Sequence, residues 1–399
     1  MVSAADPGPG PAGQAQQTVR QRLQPSSPAA LLTDVLVVRR PDELAPDALA
    51  LLAQAEHAGV ELGAAWYANF VASLPELGAL AHFHVLRQAG RAVAVLPVLA
   101  ARHGQPAVPR GRVQSLANYY SALWAPALDS ALTPELLAEL LRHVARWHAP
   151  VHSLHFAPMD PGSRAWSLMQ DALRLAGWGR WDFLAFGNWY LQVSSDWAGY
   201  LAQRPGELRN TLRRSEKRLL KAGAQIEIVC GGERLAAALR AYEQVYAASW
   251  KQAEPHPGFM QELIRCCARQ EWLRLGVVWL EGQPIAAQVW IVAHGKAAIY
   301  KLAYDEAFKA LGSGTVLTAR LMRHVLEIDG VAEVDYLMGD DPYKRHWMSH
   351  RRERRGLRAY NLHTVPGLVG AAREGLTTLL RPWLLKLRGR KQPPAPFHA

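Results

Sequence analysis

Cysteine is scarce, with three in 399 residues. Cys266 and Cys267 are neighbours on a helix-patterned stretch, Cys230 stands alone, and no C-x-x-C occurs. That spacing excludes a thiolate zinc site and a disulfide framework, and it implies a reducing, cytoplasmic setting. No H-E-x-x-H is present either, so no metal is expected. Long apolar runs are also missing, and none has the length needed to cross a bilayer. Residues 1–30 lack the apolar stretch of a signal peptide; their Pro, Gly, Gln and Ser content reads as a disordered tail. Acidic residues are outnumbered, 34 Asp+Glu against 45 Lys+Arg, for a formal net charge of +11. The surplus favours polyanionic partners: nucleic acid, an anionic membrane face or a phosphorylated ligand. No G-x-x-x-x-G-K-[ST] is found, which excludes a Walker loop; Gly312 and Gly314 fail the dinucleotide fingerprint G-x-G-x-x-G, whose third place is Leu317.

What is present reads as a folded chain, 50% hydrophobic and 20% charged, of a length that suits two domains. Strand-like "LLTDVLVV" opens the first, and "AHFHVLRQAGRAVAVLPVLAAR" is a hairpin turning at Gln88-Ala89-Gly90. An amphipathic helix starts at Thr133, with Leu137, Leu140, Leu141 and Val144 on one side. The strand run "WDFLAFGNWYLQV" leads out of this half. The second half repeats the order: helices, a run of strands through "AAIYKLAYD", a helix from about Thr315, the strand "AEVDYLMG", the short helix "DPYKRHWMS" and a last strand "LRAYNLHT". The expectation is an α/β fold with a mixed sheet in two similar halves, 31–187 and 188–363, with a basic amphipathic tail over 364–399. That tail either packs on its own domain or lies on an anionic membrane, which would make the protein peripheral at the inner membrane.

One local signal carries chemistry. A strand ends at Asp305, a loop holds Gly312 and Gly314, and a helix follows. Unpaired N–H groups at a helix start bind anions, and glycine lets the backbone approach a phosphate closely. Lys309 adds a charge. The pattern K-x-x-G-x-G resembles the pyrophosphate loop R/Q-x-x-G-x-G/A of the GNAT acyltransferase superfamily, with Lys at the first place. The residues Tyr304, Asp305, Gly314, Asp335, Tyr336, Gly339, Asp340, Tyr343, Lys344 and Trp347 further resemble the signature of the BioF-like acetyltransferase domain group. That group is associated with cellulose and exopolysaccharide biosynthesis and is related to the Fem-type peptidyltransferases, which have two GNAT-like halves. Ser313-Gly314 stands where the group commonly has Pro-Gly.

The resemblance implies acyl transfer from acyl-CoA, or from an acyl carrier protein, to an amine or hydroxyl of a sugar, lipid or cell-envelope precursor. It implies no covalent intermediate. The donor site would comprise Lys309, Gly312, Ser313, Gly314 and Thr315, with backbone N–H groups at a strand bulge near Ala303 and Tyr304 polarising the carbonyl. Tyr343 is the candidate acid for the leaving thiolate; its bland alternative is a packed ring. Among Asp335, Asp340 and Asp341 one takes the amine proton through water, or Asp340 or Asp341 merely caps the helix near Pro342. Lys344 pairs with Asp335 or Asp305, or meets the donor. Gln288 and Tyr300 either line the acceptor cleft or hold ordinary sheet positions. The basic helix from Glu207 to Lys221 and the stretch "HRRERRGLR" are solvated faces or polyanion contacts. Two other readings stay open: a Fem-like transferase using aminoacyl-tRNA, and a non-catalytic scaffold of a polysaccharide-synthesis complex. Base-reading motifs are lacking, so specific nucleic-acid binding is not expected.

Overall fold

The computed structural model describes residues 19–22, 33–101 and 105–387. Within the expected disordered tail, Val19–Arg22 forms a strand, β1, antiparallel to β2 (Thr33–Val38), whose outer edge would otherwise present unpaired backbone groups. The first half continues with α1 (Pro46–Glu56), α2 (Ala64–Ser73), α3 (Pro75–Gly78), β3 (Ala81–Gln88), β4 (Arg91–Ala100), β5 (Arg112–Ser115), β6 (Ala127–Leu128), α4 (Pro134–Trp147), β7 (Ser153–Met159), α5 (Arg164–Leu175) and β8 (Trp178–Gln192). The second half contains α6 (Trp197–Ala202), α7 (Gly206–Lys221), β9 (Gln225–Val229), α8 (Leu235–Ala247), α9 (Pro257–Arg269), β10 (Leu273–Leu280), β11 (Gln283–Ala293), β12 (Lys296–Tyr304), α10 (Ser313–Glu327), β13 (Glu333–Asp335), α11 (Lys344–Trp347), β14 (His350–Asn361) and α12 (Val365–Leu387).

Local chemistry accounts for many of these elements. The β3–β4 turn places Ala89 and Gly90 at φ 51° and 79°, the paired left-handed residues a tight hairpin needs. Thr133 caps α4 by accepting from Leu136 N at 3.4 Å, Pro134 takes the first helical position, and Leu137, Leu140, Leu141 and Val144 face the core.

The strands form one sheet, β1-β2-β3-β4-β5-β7-β14-β8-β13-β12-β11-β10-β9, with β6 beside β4. Only two pairs are parallel, β5 with β7 and β12 with β13. Each follows an antiparallel run and is linked through a helix, α4 or α10. That is the two-fold recurrence of element order read from the sequence. The halves also interlock. β14, from the end of the chain, lies between β7 and β8 of the first half. β8 pairs with β14 along most of its length and with β13 at Tyr190–Gln192, so it spans the 187/188 position at which the halves were divided. One apolar core is common to both: Trp66, Tyr67 and Phe70 of α2 belong to the same buried cluster as Phe259 and Leu263 of α9.

Two elements depart from expectation. β13 is only three residues long, because the Asp335 carboxylate accepts from Leu337 N at 2.6 Å and Leu337 turns left-handed at φ 53°. β14 begins at His350, so "HRRERRGLR" is a strand and not an open basic surface. Its arginines are matched: Arg351 with Asp340, Arg352 with Glu333 and Asp335, Arg354 with Asp160, Arg355 with Asp182, and Arg358 with Glu374. Of these only Arg354 is buried, and there a partner is required.

Candidate active site

β12 pairs with β13 only over Lys296–Ala298, and beyond Ala298 the two strands diverge. The wedge between them is a cleft of about 350 Å³. Ile299–Leu302 of β12 form one wall, Tyr336–Met338 with Asp341, Tyr343 and Lys344 the other, and Tyr119, Tyr120 and Ala122 of the first half close it. The cleft therefore lies between the halves. β12 carries an extra residue here: Val289 faces Lys301 and Trp290 faces Ile299, so Tyr300 is bulged. The bulge is thus at Tyr300, not at Ala303 and Tyr304, which pair regularly with Ala287 and Ala286. Tyr300 lines the cleft, and its hydroxyl donates to Tyr120 O at 2.9 Å, fixing the aromatic loop.

The glycine loop sits at the C-terminal end of β12. Asp305 accepts from Ala307 N at 2.9 Å and starts a 3-10 turn over Glu306–Leu311. Gly312 ends it at φ 70°, where a Cβ would lie 2.4 Å from Ser215 Oγ of α7. Gly312 N is taken by Lys309 O at 3.1 Å, and the first α10 bond runs from Val316 N to Gly312 O at 3.2 Å. Ser313, Gly314 and Thr315 are the first three residues after the N-cap Gly312, the amides that a helix start leaves without an intrahelical acceptor. Ser313 is buried, and its Oγ also lacks a partner. A Cβ on Gly314 would meet Tyr304 Cδ1 at 3.1 Å, and the Tyr304 ring leans on that of Trp250, which reaches the cleft. The loop and the cleft are therefore continuous. Unpaired amides, an orphaned buried hydroxyl and a glycine surface suit a phosphate group.

The basic helix adjoins this loop. Arg218 donates to Ser215 Oγ at 3.0 Å. Arg209, Arg213, Arg214, Lys217, Arg218 and Lys221 are exposed and form no ion pair within 4.0 Å among the described residues. That is the opposite of β14. Lys309 is exposed and lies 3.8 Å from Glu306, a weak surface pair.

Other expected residues lie elsewhere. Gln288 does not line the cleft: it is 1% exposed and donates to Gly314 O at 2.9 Å and to Thr318 Oγ1 at 2.8 Å, bracing the loop from beneath. Asp335 accepts from Asn188, Leu337 N and Arg352, away from Tyr343. It lines a small separate cavity with Glu61, whose burial raises its carboxyl to about 7. Asp340 accepts from Trp189 Nε1 and Arg351, both at 2.6 Å, and its carboxyl is held low by Arg351. Neither Asp335 nor Asp340 borders the cleft; Asp341 does. No aspartate caps α11, whose first turn follows Tyr343. Lys344 pairs with Asp341 at 3.4 Å rather than with Asp335 or Asp305, and its buried ammonium also donates to the carbonyls of Tyr336, Met338 and Gly339. It staples the loop that presents Tyr343. Burial and the nearby Asp341 carboxylate push the Tyr343 phenol up to about 12, so it keeps its proton at neutral pH. Residues to which the sequence reading gave no role complete the cleft, notably Lys251, Lys301 and the Tyr119–Tyr120 pair.

Residues 206–345 match the model of a family described as acetyltransferase (GNAT) domain. Over that segment the chain is similar to a GNAT domain. Among solved structures, FemX superposes with a TM-score of 0.52 at 11% identity, over 75% of this chain and 90% of that one. A C-terminal domain of a putative lysylphosphatidylglycerol synthetase from Agrobacterium fabrum gives 0.48 at 14% identity, over 78% and 91%. A tandem GNAT protein from the clavulanic acid biosynthesis pathway gives 0.43 at 14%, over 82% and 98%. No curated protein matches the chain. At such identities the likeness is one of fold; the FemX superposition and the single mixed sheet agree with the mixed α/β fold expected from the sequence. The GNAT match spans α7, the diverging strands and the glycine loop, so it takes in most of the cleft.

Proposed function

We propose that the protein transfers an acyl group from acyl-CoA to an amine or hydroxyl acceptor in the cleft between β12 and β13. The amides of Ser313, Gly314 and Thr315, without intrahelical acceptors at the start of α10 and beside the orphaned Ser313 hydroxyl, are the observation that carries this reading. They would hold the donor diphosphate, with Arg218 beside them. The exposed edge of β12 at the Tyr300 bulge would face the thioester, with its main-chain N–H groups positioned to polarise the carbonyl. Tyr343, protonated and at the cleft wall, would return a proton to the departing thiolate. The acceptor is a sugar, lipid or cell-envelope precursor in this reading, and a carrier-protein donor remains compatible with the basic α7. The exposed apolar stripe of α12 would rest on an anionic membrane face.

The test is a thermal-shift panel of acyl-CoAs. A ligand that binds only the folded state raises Tm. Wild type should respond, and Gly314→Val, which drives a branched side chain toward Tyr304 and the amides, should not. An unchanged shift in that variant would defeat the assignment.

A second reading, a Fem-like transferase using aminoacyl-tRNA, is favoured by the unneutralised face of α7 beside the loop. It requires tRNA binding that weakens steeply with salt, together with no response to any acyl-CoA.

A further inference from the structure

Three ammonium groups border the cleft: Lys251, Lys301 and Lys344. Two have counter-ions. Lys301 lies 2.5 Å from Glu254 Oε1, and Glu254 also accepts from the Tyr120 hydroxyl at 2.8 Å. Lys344 has Asp341 and three carbonyls. Lys251 forms no ion pair within 4.0 Å among the described residues; its Nζ lies 5.7 Å from the ring centres of Tyr246 and Trp250. A half-buried ammonium beside two others, with the Glu254 and Asp341 carboxylates near it but in no ion-pair contact, is costly. Burial and the charge of Lys301 depress its proton affinity to about 8.

The donor phosphates do not need this lysine. In the reading above they sit at the start of α10, where Arg218 of α7 already stands beside Gly312. What remains for Lys251 is the other ligand of the cleft. We propose that the acceptor carries an anionic group, a carboxylate or a phosphate, which supplies the missing counter-charge to Lys251. The proposal rests on the acyl-transfer reading of this cleft and narrows its substrate class. Half-exposed Trp250 and Tyr343 at the rim offer flat faces to the remainder of such a molecule.

The test needs no turnover. Full-length protein is treated with an amine-reactive reagent at pH 8, and labelling of Lys251 is read by mass spectrometry. Inorganic phosphate or acetate should slow it at least about fivefold relative to chloride at equal ionic strength, since a bound anion holds the amine protonated. Calorimetry without donor then compares muramic acid, glucosamine 6-phosphate and glucosamine. One or both charged sugars should bind about tenfold tighter than the neutral one, as expected for a charged hydrogen bond. The sugar that gains identifies a carboxylate or a phosphate acceptor. Lys251→Met should erase the difference and Lys251→Arg should keep it. Labelling that no anion slows, or a preference that survives in Lys251→Met, overturns the proposal. Acetyl-CoA binding is measured separately, so loss of the donor reading and loss of this one are told apart.

Discussion

At the scale of the residue, the aspartates separate by surroundings. Asp340 is tied to Arg351 and Trp189, while Asp341 and Tyr343 face the cleft. Tyr343→Phe should therefore lower kcat about 10²-fold with little change in the acyl-CoA thermal shift, whereas Asp340→Asn should leave kcat near the wild-type value. Stopped assay of free CoA release, with the acceptor found above, checks both. The motif Y-K in "DPYKRHW" made Tyr343 legible from sequence, because a short loop between strand and helix keeps neighbours together. The direction of an aspartate was not legible: Asp335 and Asp340 are claimed by Arg352 and Arg351, more than ten residues onward on β14. Gln288 was misplaced for the same reason, since its partners Gly314 and Thr318 lie on a different element. No local pattern gave Lys251 or Lys301 a role; only the folding of α8's exit against β12 brings them to one cavity.

At the scale of the element, charge count alone misled for β14 and served for α7. Both are arginine-rich, but the β14 arginines meet carboxylates brought from other elements, and those of α7 face solvent unpaired among the described residues. α12 poses the opposite question. Gly367 and Ala371 pack it on the protein, while Val365, Leu368, Val369, Leu376, Leu379 and Leu380 remain exposed along one stripe. The sequence reading of the tail as amphipathic also used residues from Arg381 onward, whose side chains lie outside the described residues. Leu376 and Leu379 are 57% and 74% exposed, so Leu376→Glu with Leu379→Glu should spare the fold. The pair should weaken sedimentation with phosphatidylglycerol vesicles more than about tenfold, because each leucine forfeits apolar burial of ~2 kcal/mol. Neutral vesicles should bind little. The helix α4 and strand β3 hold a different device: His84 Nε2 and His148 Nε2 are 3.0 Å apart, with His82 and His143 against them. Burial depresses His84 well below the usual range and His143 to about 4, and on β7 burial with Arg112 takes His155 to about 3. The folded state then holds fewer protons than the unfolded one below about pH 6.5, so stability is complete above that value and falls as pH drops toward 4. Calorimetric Tm should decline over that window, and His84→Gln should make the decline shallower.

At the scale of the whole molecule, the recurring order of elements was visible in the sequence because each hairpin and helix is written locally. The interlocking was not, since the pairing of β14 with β7 and β8 joins residues far apart in the chain. That pairing predicts that residues 33–187 alone will not fold: β8 has β14 and β13 as its neighbours, and both belong to the other half. Circular dichroism and amide dispersion of the fragment should show no cooperative transition, and co-expression with 188–399 should restore one. During synthesis the same arrangement sets an order of events. On the ribosome, β7 and β8 must wait as exposed edges until residue 361 clears the exit tunnel, so the nascent first half depends on rapid completion of the chain, or on a chaperone that shields it meanwhile.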